Sequence, residues 1–284
     1  MARPVNLGLR TFFPLPMSMF GALERLDLRE LPPRPFARHP WEIVRADFFA
    51  RLLRGRIKDH SLAALDMGAG DGYLAQRLLT DFPAVARLTC FDLAYDSAWL
   101  ETKTAAGPRL SFTATKPDGR FDLVLMLDVL EHLQNDQAAL IDVVARHLSP
   151  GAWLLLSVPA GERLYSRHDA QLGHHRRYSP RRLRALVQEA GLTIVDRGEL
   201  FASLIVPRAA MRIAELALGR DPQATPEPSN GAHIATALGT WKHGPIMTSA
   251  ITAALSLDTL CSRMASTLRL PYAGLSTWVL AQRR

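Results

Sequence analysis

The sequence predicts an α/β fold in which helices cover both faces of a parallel sheet. Short apolar runs alternate with helix-like stretches between residues 63 and 158. Runs without polar alternation are typical of strands buried on both faces, and their alternation with helices is typical of βαβ units. A glycine-rich turn, within ALDMGAGDGYL at residues 64–74, follows the first run. Such a turn at the carboxyl end of a strand predicts a ligand site there.

The first elements follow from the apolar pattern in chain order. A helical spacing of apolar residues predicts an amphipathic helix over residues 41–57. The predicted strands that come next occupy residues 63–67, 86–93, 121–127 and 151–158. Helices are predicted between them, over residues 73–80 and 134–148.

A helix with clear ends and two more strands complete the sheet. Ser179 as a cap and Pro180 at the first helical position predict where this helix begins, and Gly191 predicts its end. Strands are then predicted at residues 192–200 and, at the carboxyl terminus, over residues 274–284. The stretch between these two strands does not belong to a plain alternating sheet.

That stretch predicts a helical insertion. It holds an amphipathic segment at 201–219, a proline-rich polar linker at 221–230 and a second amphipathic segment at 245–268. Apolar residues of the last segment recur every three or four positions, at Ile246, Ala250, Ala253, Leu257, Leu260, Met264 and Leu268. We expect two helices whose apolar stripes pack on the sheet or on each other, with substrate cover or contact with a membrane surface as alternatives.

The chain is accordingly expected to comprise four parts. They are an N-terminal extension (1–37), a core (38–200), the helical insertion (201–272) and a final strand (273–284) that completes the core sheet. The two cysteines are too few for a disulfide framework, which favours a reducing compartment. No stretch reaches the roughly 18 uncharged apolar residues of a membrane span, so we expect a cytoplasmic protein, with peripheral membrane contact through residues 201–268 left open.

The charge is unevenly distributed. The formal net charge is +7, and residues 161–190 alone hold seven arginines and three histidines. A basic surface predicts an anionic partner, and an anionic small molecule or a membrane surface suits it as well as nucleic acid does. Nucleic acid is disfavoured because no aromatic residues interleave with the arginines.

The spacing of the glycine turn discriminates among ligands. Gly68, Gly70 and Gly72 alternate, whereas a dinucleotide fingerprint needs a glycine where this chain has Tyr73. A P-loop needs a lysine that is absent here. Asp92 ends the second strand, 20 residues after Gly72, where an acidic side chain can accept hydrogen bonds from ribose hydroxyls.

Four ordered motifs point to one family. They are LDMGAGDG at 65–72, Asp92, FDLVLMLDVLEHL at 121–133 and LSPGAWLLLSVP at 148–159. This set resembles the class I S-adenosylmethionine-dependent methyltransferases, in their small-molecule group, over roughly residues 38–200 and the final strand. The resemblance implies a Rossmann-like seven-stranded sheet with helices on both faces, S-adenosylmethionine as the cofactor and methyl transfer as the reaction.

The resemblance also implies a set of residues that hold the cofactor. Backbone of the loop at 68–72 would approach the methionyl carboxylate, Asp66 would orient the amino group and Asp92 would hold the ribose. The implied cofactor-binding residues are Trp41, Arg45, Asp66, Gly68, Ala69, Gly70, Gly72, Asp92, Leu93, Leu127 and Asp128.

Some of these roles have structural alternatives. Leu93 would pack on the adenine, and Leu127 with Asp128 would line the wall near the transferred methyl, but both leucines could equally be core residues. Asp66 could serve only to cap the loop. Related sequences usually carry an aspartate toward the adenine before FDLV, and residues 111–124 depart from this pattern, so the adenine contact is not assigned.

Two further stretches are similar to a narrower group of these enzymes, RHPWEIVR at 38–45 and LYSRHDAQLGHHRRYS at 164–179. Trp41 and Arg45 could close over the cofactor. Methyl transfer to a hydroxyl or amine requires removal of a proton, for which histidine is suited. The predicted catalytic residues are His168, His174 and His132, and the predicted substrate-binding residues are Asp169, His175, Arg176, Arg177 and Tyr178.

Alternatives remain open for this segment as well. Its arginines, Asp169 and Tyr178 could form a network that only pins a long loop. Asp128, Glu131 and His132, with His168, resemble the E-x-x-E-H pattern of methyltransferases that bind a divalent cation. The same letters are frequent in relatives without a metal, and we predict no metal.

The leading hypothesis is therefore methyl transfer from S-adenosylmethionine to an oxygen or nitrogen, less favourably a carbon, of a small or lipid- or saccharide-linked anionic acceptor. The alternative from another class is a non-catalytic basic module that attaches to a membrane surface or to nucleic acid. A nicotinamide dehydrogenase is disfavoured by the glycine spacing.

Overall fold

The computed structural model describes residues 38–59, 61–103, 107–220, 241, 243–268 and 270–284. The predicted N-terminal extension and the proline-rich linker lie outside the described residues. The predicted fold class is confirmed: a seven-stranded sheet has strand order β3-β2-β1-β4-β5-β7-β6, with helices on both faces. Its strands are β1 (Leu62–Met67), β2 (Val85–Phe91), β3 (Leu110–Thr113), β4 (Phe121–Leu127), β5 (Leu148–Pro159), β6 (Leu192–Leu200) and β7 (Ser276–Arg283).

Six of the eight helices in the described residues match predicted segments, and the two short helices at Ser97–Thr102 and Arg167–Gln171 were not predicted. The eight helices are α1 (Pro40–Arg56), α2 (Tyr73–Asp81), α3 (Ser97–Thr102), α4 (Asp136–His147), α5 (Arg167–Gln171), α6 (Pro180–Glu189), α7 (Ile205–Ala217) and α8 (Pro245–Leu268). Single 3₁₀ turns cover Leu130–His132, Glu162–Leu164 and Ala202–Leu204. The predicted ends of α6 are confirmed, because the Ser179 side chain accepts a hydrogen bond from the Arg182 amide and Gly191 follows with a φ of +80°.

The core consists of two apolar layers, one on each face of the sheet. Along β4, Leu123 and Leu125 belong to the layer beneath α1 and α2, while Val124 and Met126 belong to the layer beneath α4 and α6. Successive side chains of a strand point to opposite faces. Both faces are covered, which explains why the strands read as continuous apolar runs.

Strand direction determines where a ligand can bind. β1, β2, β3, β4 and β5 are mutually parallel, and β7 inserts antiparallel between β5 and β6. Met67 of β1 pairs with both Phe91 of β2 and Met126 of β4, so these three strands end at the same level. The residues that follow them therefore meet at one edge of the sheet, where open α/β folds bind ligands.

The insertion contains the two predicted helices, but their packing differs from the expectation. The α8 stripe that includes Leu257, Leu260 and Met264 is exposed, whereas the buried residues of α8 are Leu255, Asp258, Thr259 and Ser262. The prediction that this apolar stripe packs on the core is wrong for the described residues. α8 packs against α1 and β6 through its more polar face.

None of the helices in the described ranges is both long enough and apolar enough to traverse a lipid bilayer. Cys90 is buried in β2, and Cys261 is exposed on α8. Burial raises the pKa of the Cys90 thiol far above its usual range, with a smaller contribution from Asp66. Cys90 therefore behaves as an apolar core residue, as expected for a thiol within an apolar run.

Candidate functional site

The loop between β1 and α2 owes its shape to three glycines in the left-handed region. The φ angles of Gly68, Gly70 and Gly72 are +72°, +54° and +79°. A Cβ at Gly68 would lie 2.7 Å from a Val129 methyl, and one at Gly72 would lie 2.6 Å from the Phe112 ring. A Cβ at Gly70 would meet nothing within 4 Å. Packing thus requires the two outer glycines, while the middle one leaves the loop backbone open to a ligand.

Asp92 holds this loop from the neighbouring strand. Its carboxylate accepts hydrogen bonds from the Gly70 amide (3.0 Å) and the Ala94 amide (2.9 Å). The Tyr95 hydroxyl donates to the Gly70 carbonyl (2.6 Å), and the Tyr95 ring stacks on Trp99 with centroids 4.0 Å apart. Gly70 is therefore fixed through both backbone polar groups, although it lacks a side chain.

Two carboxyl groups beneath the loop lack full charge compensation. Burial raises the pKa of Asp66 to about 7, with a further contribution from the charge of Asp92, while Arg45 acts in the opposite direction. Burial also raises the pKa of Asp92, against the two amide hydrogen bonds. A cation bound near them would lower both pKa values and be stabilised in return. This observation fits a ligand with an ammonium and a sulfonium group.

Asp128 follows β4 with a φ of +57°, which is unusual for a residue other than glycine. Its carboxylate forms an ion pair with Arg45 and accepts a hydrogen bond from the Ser157 hydroxyl (3.2 Å). The Arg45 guanidinium also lies over the Trp41 ring, 4.5 Å from its centroid. Backbone in a disfavoured region at a strand end is typical of functional sites, because the surrounding contacts must maintain it.

A cavity of about 430 Å³ connects these residues with the histidine segment. One wall consists of the glycine loop, the α1 residues and Asp128, and the other of Glu131, His132 and residues that follow β5 or belong to the insertion. Twelve predicted site residues line it: Trp41, Arg45, Gly68, Ala69, Gly70, Leu127, Asp128, His132, His168, Asp169, His174 and Arg177. Four predicted cofactor-binding residues do not line it: Asp66 in β1, Gly72 at the end of the loop, and Asp92 and Leu93 after β2.

The three predicted catalytic histidines share the second wall. The rings of His132 and His174 meet edge to face, with centroids 4.7 Å apart. Burial lowers the pKa of His132 to about 3, with help from the neighbouring His174 and His175. Burial and the charge of Arg208 lower the pKa of His168 as well. His132 and His168 are therefore neutral near pH 7.

A completely buried carboxylate, Asp169, organises this wall. It accepts hydrogen bonds from His174 Nδ1 (3.2 Å) and Arg177 Nε (2.9 Å), and it also pairs with Arg208 from α7. Burial alone would raise the pKa of Asp169, but these hydrogen bonds and the two guanidinium charges outweigh it and hold the pKa well below its usual range. Asp169 is therefore ionised near neutral pH.

One group of side chains could also hold a cation. Glu131, His132 and His174 each offer a ligand atom, and the three atoms lie within 4.8 Å of one another. Nitrogen and carboxylate oxygen atoms of this kind bind zinc and similar ions. The expectation of a site without metal stays a prediction.

Part of the predicted substrate-binding set has a different role in the structure. Tyr178 is fully buried and donates to Asp136 (2.9 Å), and Arg176 pairs with the same carboxylate (3.0 Å). His175 is exposed and donates through its backbone amide to the Glu131 carbonyl (2.7 Å). None of the three lines the cavity. These three residues hold the segment after β5 on the core, and their predicted part in substrate binding stays a prediction.

Several cavity residues were missing from the sequence analysis. Arg208, Phe201 and Leu204 of the insertion line the cavity, as do Leu275 and Ser276. A signal for Arg208 existed: it is a charged residue within an apolar helix, and such a residue is usually paired when it is buried. No comparable signal exists for the others, since they reach the cavity only through the tertiary fold.

The parallel strands, the left-handed glycine loop and the acidic residue after β2 define a Rossmann-like protein that binds a nucleoside cofactor at the carboxyl edge of its sheet. A family model described as a methyltransferase domain matches residues 38–197. The chain belongs to this methyltransferase family. It is a class I S-adenosylmethionine-dependent methyltransferase, as the sequence motifs predicted.

Solved structures agree on the fold. The [4+2]-cyclase SpnF is 17% identical, with a TM-score of 0.53 and 93% of each chain covered. An S-adenosylmethionine-dependent methyltransferase from Mesorhizobium loti is 14% identical, with a TM-score of 0.50 over 84% of this chain and all of that one. No curated protein matches the sequence.

Proposed function

We propose that the enzyme methylates a hydroxyl or amine of an anionic acceptor that is either a small molecule or linked to a lipid or saccharide. One observation carries this proposal: a single cavity has the glycine loop and Asp128 on one wall and three histidines on the other. Transfer from a sulfonium is an in-line displacement, so the protein must align the acceptor and receive its proton. Both requirements are matched by side chains that line this cavity.

The first wall would hold the cofactor. S-adenosylmethionine supplies an electrophilic methyl group when bound. Asp92 would accept hydrogen bonds from its ribose, and Asp66 would compensate its ammonium group. Gly70, whose amide already donates to Asp92, would let its carboxylate approach the loop because no side chain stands there. The raised pKa values of Asp66 and Asp92 support this assignment, because both carboxylates gain from a cationic ligand.

The second wall would bind the acceptor and remove its proton. Asp169 is ionised and can only accept, so His174 must carry its proton on Nδ1, and in the neutral ring Nε2 then has a free lone pair. As the acceptor oxygen or nitrogen bonds to the methyl carbon and the carbon–sulfur bond breaks, the acceptor proton passes to His174 Nε2. His174 is therefore our choice for the base, with Asp169 as its positioning residue.

Two features support the acceptor class. Arg177 and Arg208 share the single carboxylate of Asp169, which leaves an excess of positive charge at that point of the cavity wall. Guanidinium groups are well suited to phosphate and carboxylate. Phe201 and Leu204 add apolar surface from the insertion, which suits a lipid-linked acceptor.

Calorimetric titration with S-adenosylhomocysteine tests the cofactor site. We expect micromolar binding by the wild type and a loss of at least about tenfold in Asp92→Ala. Asp118→Ala is the matched control, since it removes an exposed carboxylate before the amino end of β4, at the opposite edge of the sheet. A wild type that does not bind would contradict the enzyme function and favour the non-catalytic module.

Transfer of labelled methyl from S-adenosylmethionine tests the acceptor. The assay compares each phosphorylated or carboxylated hydroxyl or amine compound with its neutral counterpart, and separates organic-phase from aqueous products. We expect label in the anionic member of a pair, and a kcat lowered about 10² to 10⁴-fold in His174→Gln with unchanged affinity for S-adenosylhomocysteine. Equal kcat in the variant would remove His174 from the role of base.

A further inference from the structure

Helices α7 and α8 of the insertion turn polar side chains toward the protein. On α7, Arg208 is buried against Asp169, and Glu215 pairs with Arg212 (3.4 Å) and accepts from the Arg167 amide (3.3 Å). These charged groups anchor α7 to the segment that contains α5. The polar face of α7 is therefore already occupied by the protein itself.

α8 is anchored in a similar way. Asp258 accepts hydrogen bonds from the amides of Ala202 (3.2 Å) and Ser203 (2.7 Å) and from the Tyr272 hydroxyl. Ser262 donates to the Glu199 carbonyl of β6. Both helices are thus held by hydrogen bonds and ion pairs, which leaves their apolar residues to the outside.

The outer faces of the two helices are strongly apolar. Twelve of the fourteen large apolar side chains that are exposed within the described residues lie between positions 206 and 270. Leu257, Leu260, Met264 and Leu268 form one stripe along α8, because they are spaced by three or four residues. The exposed large apolar residues of α7 are Val206, Met211, Ile213 and Leu216, and Leu218 follows directly after the helix. Scattered exposed apolar residues are normal, but a concentration of this kind marks an interaction surface.

The charge around these stripes distinguishes between occupants. The carboxylates of α7 and α8 are Glu215 and Asp258, and both are turned inward and hydrogen-bonded. Among the residues beside the helices that the structure describes, the exposed ionisable groups include Arg220 and His243, and the whole chain carries a net charge of +7. A second copy would bring like charge to this surface, whereas an anionic lipid surface offers both an apolar layer and the opposite charge.

We infer that the outer faces of α7 and α8 form a docking surface for an anionic lipid bilayer. The apolar stripes enter the boundary between headgroups and acyl chains, and Arg220 beside them approaches lipid phosphates. Since Phe201, Leu204 and Arg208 of the same insertion line the cavity, docking brings the catalytic cavity close to the lipid surface. This inference does not depend on the identity of the acceptor.

Co-sedimentation with vesicles tests it, using the full chain without cofactor or acceptor. We expect binding to vesicles of equal parts phosphatidylglycerol and phosphatidylcholine to exceed binding to pure phosphatidylcholine. The preference should shrink when salt rises from about 0.1 M to about 1 M, because the screening length falls from about 10 Å to about 3 Å. Binding by Asp92→Ala should equal that of the wild type, which separates this test from the methyl-transfer experiments.

The decisive variant is Leu257→Gln/Leu260→Gln/Met264→Gln, with Val195→Gln as the control on an exposed apolar residue of β6. We expect the triple variant to lose at least about tenfold in vesicle affinity while it retains S-adenosylhomocysteine binding, and the control to bind vesicles like the wild type. Equal vesicle binding by the triple variant and the wild type would overturn the inference. So would a wild-type dimer that becomes monomeric in the triple variant while neither protein binds vesicles, since a second copy would then be the occupant.

Discussion

Two buried aspartates on opposite sides of the cavity have opposite electrostatic environments. Asp169 is bound by Arg177, Arg208 and His174, and its pKa is held low, whereas Asp66 beneath the glycine loop is raised to a pKa of about 7 by burial and by Asp92. The charge of Asp169 on the second wall is thus compensated without a ligand, whereas the charge of Asp66 beneath the glycine loop is not. One region is therefore stabilised by the protein's own cations, whereas the other would gain stability from a bound cationic ligand, as the proposed function requires.

Asp169→Asn should cause the largest loss in the free energy of unfolding. It leaves two buried guanidinium groups without their carboxylate, and removal of one partner from a buried charge network costs about 3–5 kcal/mol. We expect the free energy of unfolding, measured with urea, to fall by this amount. Asp142→Asn is the control, because Asp142 also sits between two cations, Lys116 and Arg146, but these three side chains are only partly buried, so the loss should be about 1 kcal/mol. Similar losses in both variants would contradict the role given to Asp169.

Asp66→Asn should instead raise the free energy of unfolding at neutral pH. The folded pKa of Asp66 lies above the ordinary value of 3.8, so the free energy of unfolding falls as the pH rises from about 4 to about 7 and stays low above pH 7. Three pKa units correspond to about 4 kcal/mol at most. We expect the variant to melt at a higher temperature than the wild type at pH 8 and by a clearly smaller margin at pH 5, with much weaker S-adenosylmethionine binding. A lower melting temperature at pH 8 would refute the electrostatic account of this wall.

The affinity for S-adenosylmethionine should depend on pH through the titration of Asp66. A cationic ligand prefers ionised Asp66, so affinity for S-adenosylmethionine should fall as pH drops below about 7, by up to about tenfold per unit. Asp169 does not contribute in this range, because its pKa is depressed and its stabilising effect is lost only in strong acid. In binding titrations, we expect the affinity of the wild type to change with pH between about 5.5 and 8 and that of Asp66→Asn to stay constant. Two parallel profiles would exclude Asp66 as the titrating group.

Gly70→Ala should have the smallest effect on stability. An alanine at φ +54° costs roughly 1–2 kcal/mol, and Gly151→Ala at φ +78° is a matched control away from the cavity. Both variants should therefore lose similar stability. Affinity for S-adenosylhomocysteine should fall only in Gly70→Ala, because that methyl group would occupy the open side of the loop. Unchanged affinity would show that the ligand does not approach Gly70.

The sequence predicts the sheet and the cofactor loop well, because both depend on local patterns. Continuous apolar runs reveal buried strands, and alternating glycines reveal a backbone with several positive φ angles, as found at Gly68, Gly70 and Gly72. Periodicity along residues 245–268 also revealed a helix. It could not reveal which face is buried, because α8 is held by Asp258 and Ser262 through partners far away in the chain.

The second wall of the cavity was predicted less completely, because it also depends on contacts between residues far apart in the chain. The histidines were found from a local motif, and the structure brings His132, His168 and His174 to one cavity. The division of the arginines among Asp136 and Asp169 depends on contacts over up to 46 residues, which no local pattern encodes. Arg176 and Arg177 carry identical side chains, so the sequence predicted substrate binding for both. In the structure Arg176 pairs with Asp136 and Arg177 with Asp169.

The pairing of Arg208 with Asp169 has a consequence for protein engineering. The same carboxylate fixes the tautomer of His174 and secures the insertion to the core. A chimaera that receives this insertion without an equivalent of Asp169 would bury an uncompensated guanidinium, and a core stripped of the insertion would lose one of the cations that keep Asp169 ionised. The insertion and the catalytic centre can therefore be exchanged between relatives only as a unit.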